Sequence, residues 1–246
     1  MEIRELVSKD PKHVDLETRK AFWRIVRQIK KSPHPQPGDI ALASEIRNIL
    51  FRARRGKTYP LWPCVGVFFL IGLIPVTWYL QLLSIPLNPF SMLSWTDSNW
   101  WLFLRRAGSL MAATFFFYPL GRLFAGYWAG IRIDGMSGGM YHEPTLKIDY
   151  QTFLSVSPSK RKWFFFFAGA WTIITSLSLG TVGWFLAADV SGFITAAFLA
   201  ISEGLAILSN TTSNIGGEMA HYNREKKIER AWKKNRMQEN IGPECR

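Results

Sequence analysis

"FFFYPLGRLFAGYWAGIRIDG", residues 115–135, carries two faults for a membrane helix within one turn. Pro119 removes a backbone hydrogen bond, and Arg122 brings a permanent charge into an apolar run. The run belongs to residues 107–127, one of four apolar stretches; the others are 61–83, 163–186 and 190–209. Each is close to the roughly 20 residues that cross about 30 Å of hydrocarbon as a helix. The expected fold class is therefore an α-helical polytopic membrane protein of about four transmembrane helices. Residues 61–209 form its membrane domain, between a basic helical segment at 1–60 and a charged tail at 210–246.

Charge supports this division and orients it. The 246 residues carry a net charge of +12 although 48% are hydrophobic, so apolar and basic residues are segregated along the chain. Of the 30 lysines and arginines, fourteen precede residue 61, five lie in 128–162 and eight follow residue 209, while the connections at 84–100 and 187–189 have none. By the positive-inside rule both termini and the middle connection are expected in the cytoplasm, facing anionic headgroups. Arg105 and Arg106 fall at the outer end of the second span and are expected to snorkel toward headgroups. Because every basic run flanks a span, the charge needs no nucleic acid to explain it. Cys64 and Cys245 are too far apart in sequence to imply a disulfide framework.

The basic segment reads as two amphipathic helices. The first is expected to be capped by Asp10 and to repeat Phe22, Ile25, Val26 and Ile29; the second is expected to start at Asp39, carry Leu42, Ile46, Ile49, Leu50 and Ala53, and end at Gly56. Such helices suit an anionic membrane surface or a partner, and equally a hairpin packed on the chain's own membrane domain. In the tail, "NREKKIERAWKKN" is a charged helix with few apolar anchors.

Tyr118 and Arg122, four residues apart, share one helix face. In that frame "YPLGR" (118–122) stands where zinc proteases have HELGH, a histidine pair at i and i+4 with a glutamate beside the first. The following "RLFAGYWAGIRIDG" resembles the helix end and first strand that come after this motif in the site-2-protease-like family of membrane zinc metalloproteases. Further blocks follow in the family's order. They are "IRIDGM" and "TLKIDYQTF", readable as short strands of a cytoplasmic insertion, the basic "SPSKRKW", "FFFFAGAWT", and "SNTTSNIGGEMAHY", where Asn214 takes the place of the family's metal-binding aspartate. The resemblance covers roughly residues 102–235.

It implies a degenerate site at Tyr118, Pro119, Arg122 and Asn214. Tyr118 and Arg122 replace the histidine ligands, Pro119 the general base and Asn214 the aspartate. A guanidinium has no lone pair to donate and proline has nothing to titrate, so no metal, cofactor or catalysis is expected. The family framework puts positions 122 and 214 close together. An intramembrane ion pair of Arg122 with Glu203, the acidic residue well inside a span, is expected to fill the place of the lost cation. Two functions follow as expectations. The first is a non-catalytic pseudoprotease that binds, assembles or serves as an accessory subunit for membrane-protein partners. The second is a transporter or channel for an ion or small solute, using the polar interior around Arg122, Glu203 and Asn214. Other motifs carry less. "HEPTL" lacks a second histidine and reads as a loop, no histidine falls in a span for axial haem ligation, and Gly126 and Gly130 are spaced for close helix approach.

Overall fold

The computed structural model describes residues 2–85, 97–139, 142–213 and 218–240. Within them the chain is mostly helical. In order the elements are α1 (Glu2–Lys9), α2 (Leu16–Lys31), α3 (Pro37–Arg55), β1 (Thr58–Pro60), α4 (Leu61–Leu83), α5 (Asp97–Ala129), β2 (Ile133–Gly139), β3 (His142–Ile148), α6 (Tyr150–Ser155), α7 (Pro158–Ala187), α8 (Val190–Ser213) and α9 (Glu218–Asn240). The chain divides into two units. One comprises Met1–Cys64, Ala125–Phe164 and His221–Arg246; the other comprises Val65–Phe124 and Phe165–Ala220.

The second unit is built from the four apolar runs, all of them helical. Two helices, α4 and α7, are long and apolar enough to cross a membrane. Only 17% and 28% of their most apolar windows are buried within the chain, so these side chains point outward and are not the core of a soluble fold. Phe69, Ile74, Phe115, Val182, Phe185 and Phe198 are among the exposed ones. Among the described residues Tyr79, Leu83, Leu110 and Ala196 form a buried apolar cluster. Proline marks helix starts and interiors alike. Pro158 opens α7, where its missing N–H is harmless, whereas Pro75 and Pro119 interrupt α4 and α5.

The first unit joins the basic segment, the middle connection and the tail. Its helix α2 is capped by Asp15, whose side chain accepts from the Thr18 N–H at 2.5 Å. Asp10, expected in that role, instead accepts from the His13 N–H at 3.2 Å in the bend after α1. Phe22, Val26 and Ile29 are buried as the periodicity requires, while Ile25 is 43% exposed. Helix α3 starts at Pro37, two residues before the expected Asp39, and ends at Gly56, whose φ of 75° suits glycine and whose N–H donates to Arg52 O.

The insertion forms an antiparallel sheet in the order β1-β2-β3. Gly135 pairs with Pro60 across β1, and a side chain there would overlap the Tyr59 carbonyl, so the two backbones meet only because this residue is glycine. Two expectations are corrected. His142 and Glu143, read as loop, open β3 opposite Gly139. "DYQTF", read as strand, is the start of α6, because the Asp149 carboxylate accepts from the Gln151 N–H at 3.1 Å and starts a helix that buries Phe153 and Leu154.

Candidate functional site

Helix α5 presents Tyr118, Pro119 and Arg122 as the spacing predicts. The Arg122 guanidinium lies over the Tyr118 ring, 5.6 Å from its centroid, and Pro119 is buried. The helix is braced here by Trp171 of α7, from the "FFFFAGAWT" block. The indole stacks on Phe124 with centroids 5.2 Å apart, and its Nε1–H donates to the Phe117 carbonyl at 3.1 Å, in the turn loosened by Pro119. It sits where a Gly121 side chain would be, since a Cβ there would overlap the Trp171 Cβ and Cγ. Two motifs far apart in sequence are thus in contact, and the indole packs and hydrogen-bonds against the turn that contains Pro119.

Glu203 stands half-buried on α8. Among the described residues it makes no hydrogen bond or ion pair, with Arg122 or with any other group. Asn214 lies outside the described residues. His221 is an exposed residue of α9.

Among the described residues of this unit, Arg106 and Asp189 form a buried ion pair that the sequence reading missed. Arg106 and Asp189 are each 2% exposed, and Arg106 Nη1 donates to Asp189 Oδ1 at 2.6 Å. Arg106 therefore does not snorkel. Its Nη2 also donates to Leu82 O at 2.9 Å and Ile85 O at 2.5 Å, so one guanidinium closes the C-terminal end of α4. Asp189 is the N-cap of α8: it accepts from the Gly192 N–H at 3.0 Å, from Ser191 Oγ at 2.5 Å and from the Tyr79 hydroxyl at 2.9 Å. The cation at a helix C-terminus and the anion at a helix N-terminus each oppose the local dipole. Gly183 and Gly192 flank the Tyr79 hydroxyl, and a side chain on either would overlap it. The available signal was "ADVSG" (188–192), a cap motif in the two-residue turn between spans.

The first unit has a second buried network. Arg161, 1% exposed, donates through Nε to Glu225 at 2.8 Å and through its remaining nitrogens to the carbonyls of Leu154, Val156 and Lys30. Lys30 also pairs with Glu225, and Lys162 with Glu229 at 2.7 Å. Glu225 and Glu229 are four apart on α9, beside buried Ile228, so the tail helix is anchored by carboxylates as much as by apolar contacts. Burial would raise the Glu225 pKa, but Lys30 and Arg161 together outweigh it and hold the carboxyl below its usual range. Burial lowers the pKa of Lys30 and of Arg47. Arg47 lies over the rings of Trp23, Phe51 and Tyr150, with Tyr150 pushed upward by its own burial. Much of the basic "SPSKRKW" run is accordingly structural.

No family model matches this chain, and no curated protein or solved structure is similar to it.

Proposed function

We propose that the chain is an integral membrane protein of four helical spans with both termini cytoplasmic. In this reading it has the framework of a site-2-protease-like enzyme without the chemistry, and works as a non-catalytic binding or assembly subunit of a larger membrane complex. The observation that carries the reading is the Tyr118–Arg122 face of α5. A guanidinium has no lone pair for zinc, a phenol is not among zinc's usual protein ligands, neither supplies the carboxylate that activates water, and Trp171 packs against the same turn. The outward-facing apolar side chains of α4 and α7 support membrane insertion. Anionic headgroups are the proposed lipid partner, since the first unit holds 27 basic and 14 acidic residues, a net charge of +13.

Two measurements test this. Single cysteines at Ala187 and Ser155, in a background lacking Cys64 and Cys245, are expected to react with an impermeant thiol reagent from opposite sides of sealed vesicles; labelling of both from one side removes the four-span reading. Elemental analysis of protein dialysed against chelator is expected to find no stoichiometric zinc, and incubation with unfolded and transmembrane peptides no cleavage. Zinc at one per chain, lost on replacing Asn214 or His221, would mean that a metal site exists elsewhere.

A further inference from the structure

Among the described side chains of the apolar unit, one carboxylate, that of Glu203, has no hydrogen bond or ion pair. Among the described side chains of that unit the acids are Asp189 and Glu203. Asp189 takes four hydrogen bonds and the Arg106 charge. Glu203 takes none, and lies thirteen residues beyond the start of α8, about 20 Å along the helix axis at 1.5 Å per residue. Leu199, Ala200 and Ile201 precede it, and in the four-span reading this depth lies within the hydrocarbon. An ionised carboxylate there needs a cation or hydrogen-bond donors, and groups of this kind in membranes almost always pair. The hydroxyl of the preceding residue is already used: Ser202 Oγ donates back to Leu199 O at 2.9 Å. The backbone beside Glu203 is open, because a side chain on Gly204 would meet nothing within 4 Å. A second helix can approach there closely.

We propose that Glu203 is the recognition point for a transmembrane helix of a partner protein that presents lysine or arginine at the same depth, packed over Gly204. Charge complementarity selects the occupant, since a purely apolar helix leaves the carboxylate unpaired and an acidic one repels it. The proposal rests on the four-span subunit reading above and names the chemistry of its partner.

The test uses the full chain in phosphatidylcholine vesicles, labelled at Ala187→Cys, and synthetic leucine-alanine helices about 22 residues long. Each helix carries arginine, leucine or glutamate at the depth of Glu203 and an acceptor dye for energy transfer. The arginine helix is expected to associate at least about tenfold more tightly than the leucine helix. That preference is expected to disappear in Glu203→Leu and to invert toward the glutamate helix in Glu203→Lys. Equal association of arginine and leucine helices with the unchanged protein, or a preference that survives Glu203→Leu, overturns the proposal. Energy transfer between two copies of the chain that depends on Glu203 while the arginine helix is ignored also overturns it, and assigns the face to self-association. The cysteine labelling above is run on the same vesicles: if it fails, the topology has failed, and if it succeeds while the helices are not discriminated, only this proposal falls.

Discussion

Arg106 and Arg122 occupy the same helix and have opposite chemical settings. Arg106 is enclosed with a counter-ion and two carbonyls, whereas Arg122 lies over an aromatic ring. Removing one member of a buried pair strands the other charge, at about 3–5 kcal/mol, while removing both leaves no orphan. Arg106→Met and Asp189→Asn are each expected to lower thermal stability in detergent strongly, and the double change to recover part of the loss. A double-mutant cycle that gives simple additivity would contradict the pairing. At Ala188 the sign is reversed. Its φ of 48° lies in the left-handed region, where a β-carbon costs about 1–2 kcal/mol. After allowing for glycine's greater freedom in the unfolded chain, Ala188→Gly is expected to stabilise by up to about 1 kcal/mol in the same assay; a loss of stability would show that the turn is not strained.

At the scale of elements, two helices are held by means that local pattern does not display. Helix α9 has an apolar face too thin to dock unaided, and Glu225 and Glu229 supply the rest through Arg161, Lys30 and Lys162. The sign of the pH effect follows from the lowered Glu225 pKa. The unfolded chain binds this proton more readily than the folded one, so the stabilisation is fully present above the unfolded value near 4.3 and is lost as pH falls through the lower native value. Tryptic cleavage within α9 is expected to accelerate by more than about tenfold in Glu225→Gln at neutral pH, because breaking such a pair costs about 3–5 kcal/mol; an unchanged rate would place the anchor elsewhere. Helix α5 depends on a void that only glycine leaves. Gly121→Ala forces Trp171 off Phe124 and off the Phe117 carbonyl, and overpacking of this kind costs about 1–3 kcal/mol. Thermal unfolding in detergent measures it, and a silent substitution would mean that the indole has room to move.

For the molecule as a whole, charge and apolar surface are divided between the two units. The first carries a net +13 and the second −1, as 3 basic residues against 4 acidic ones. Long-range attraction to anionic lipid is screened by salt, with a Debye length of about 10 Å at 0.1 M. In nanodiscs containing phosphatidylserine, amide exchange on α2 and α9 is expected to be slower than in neutral nanodiscs at low salt, with the difference lost near 0.5 M. Equal exchange in both lipids would leave the basic surface for a protein partner.

Length and apolarity were sufficient to mark the helices that contain 61–83, 107–127, 163–186 and 190–209, because a long unbroken apolar run is a local property of the chain. The helical N-terminal segment and the strands after α5 were legible for the same reason, through period and turn residues. Sequence also placed Tyr118 and Arg122 on one face, since helical spacing alone decides that. It did not distinguish Asp15 from Asp10 as a cap, nor the strand from the helix in "DYQTF", because both choices satisfy local propensity and contacts with distant residues select between them. Partner choice lay furthest from view. Arg106 meets Asp189, and Arg161 meets Glu225, across 83 and 64 residues, and which charges meet over such distances depends on how whole helices pack. Only the tertiary structure decided that Asp189 is enclosed and that Glu203, among the described residues, makes no hydrogen bond or ion pair.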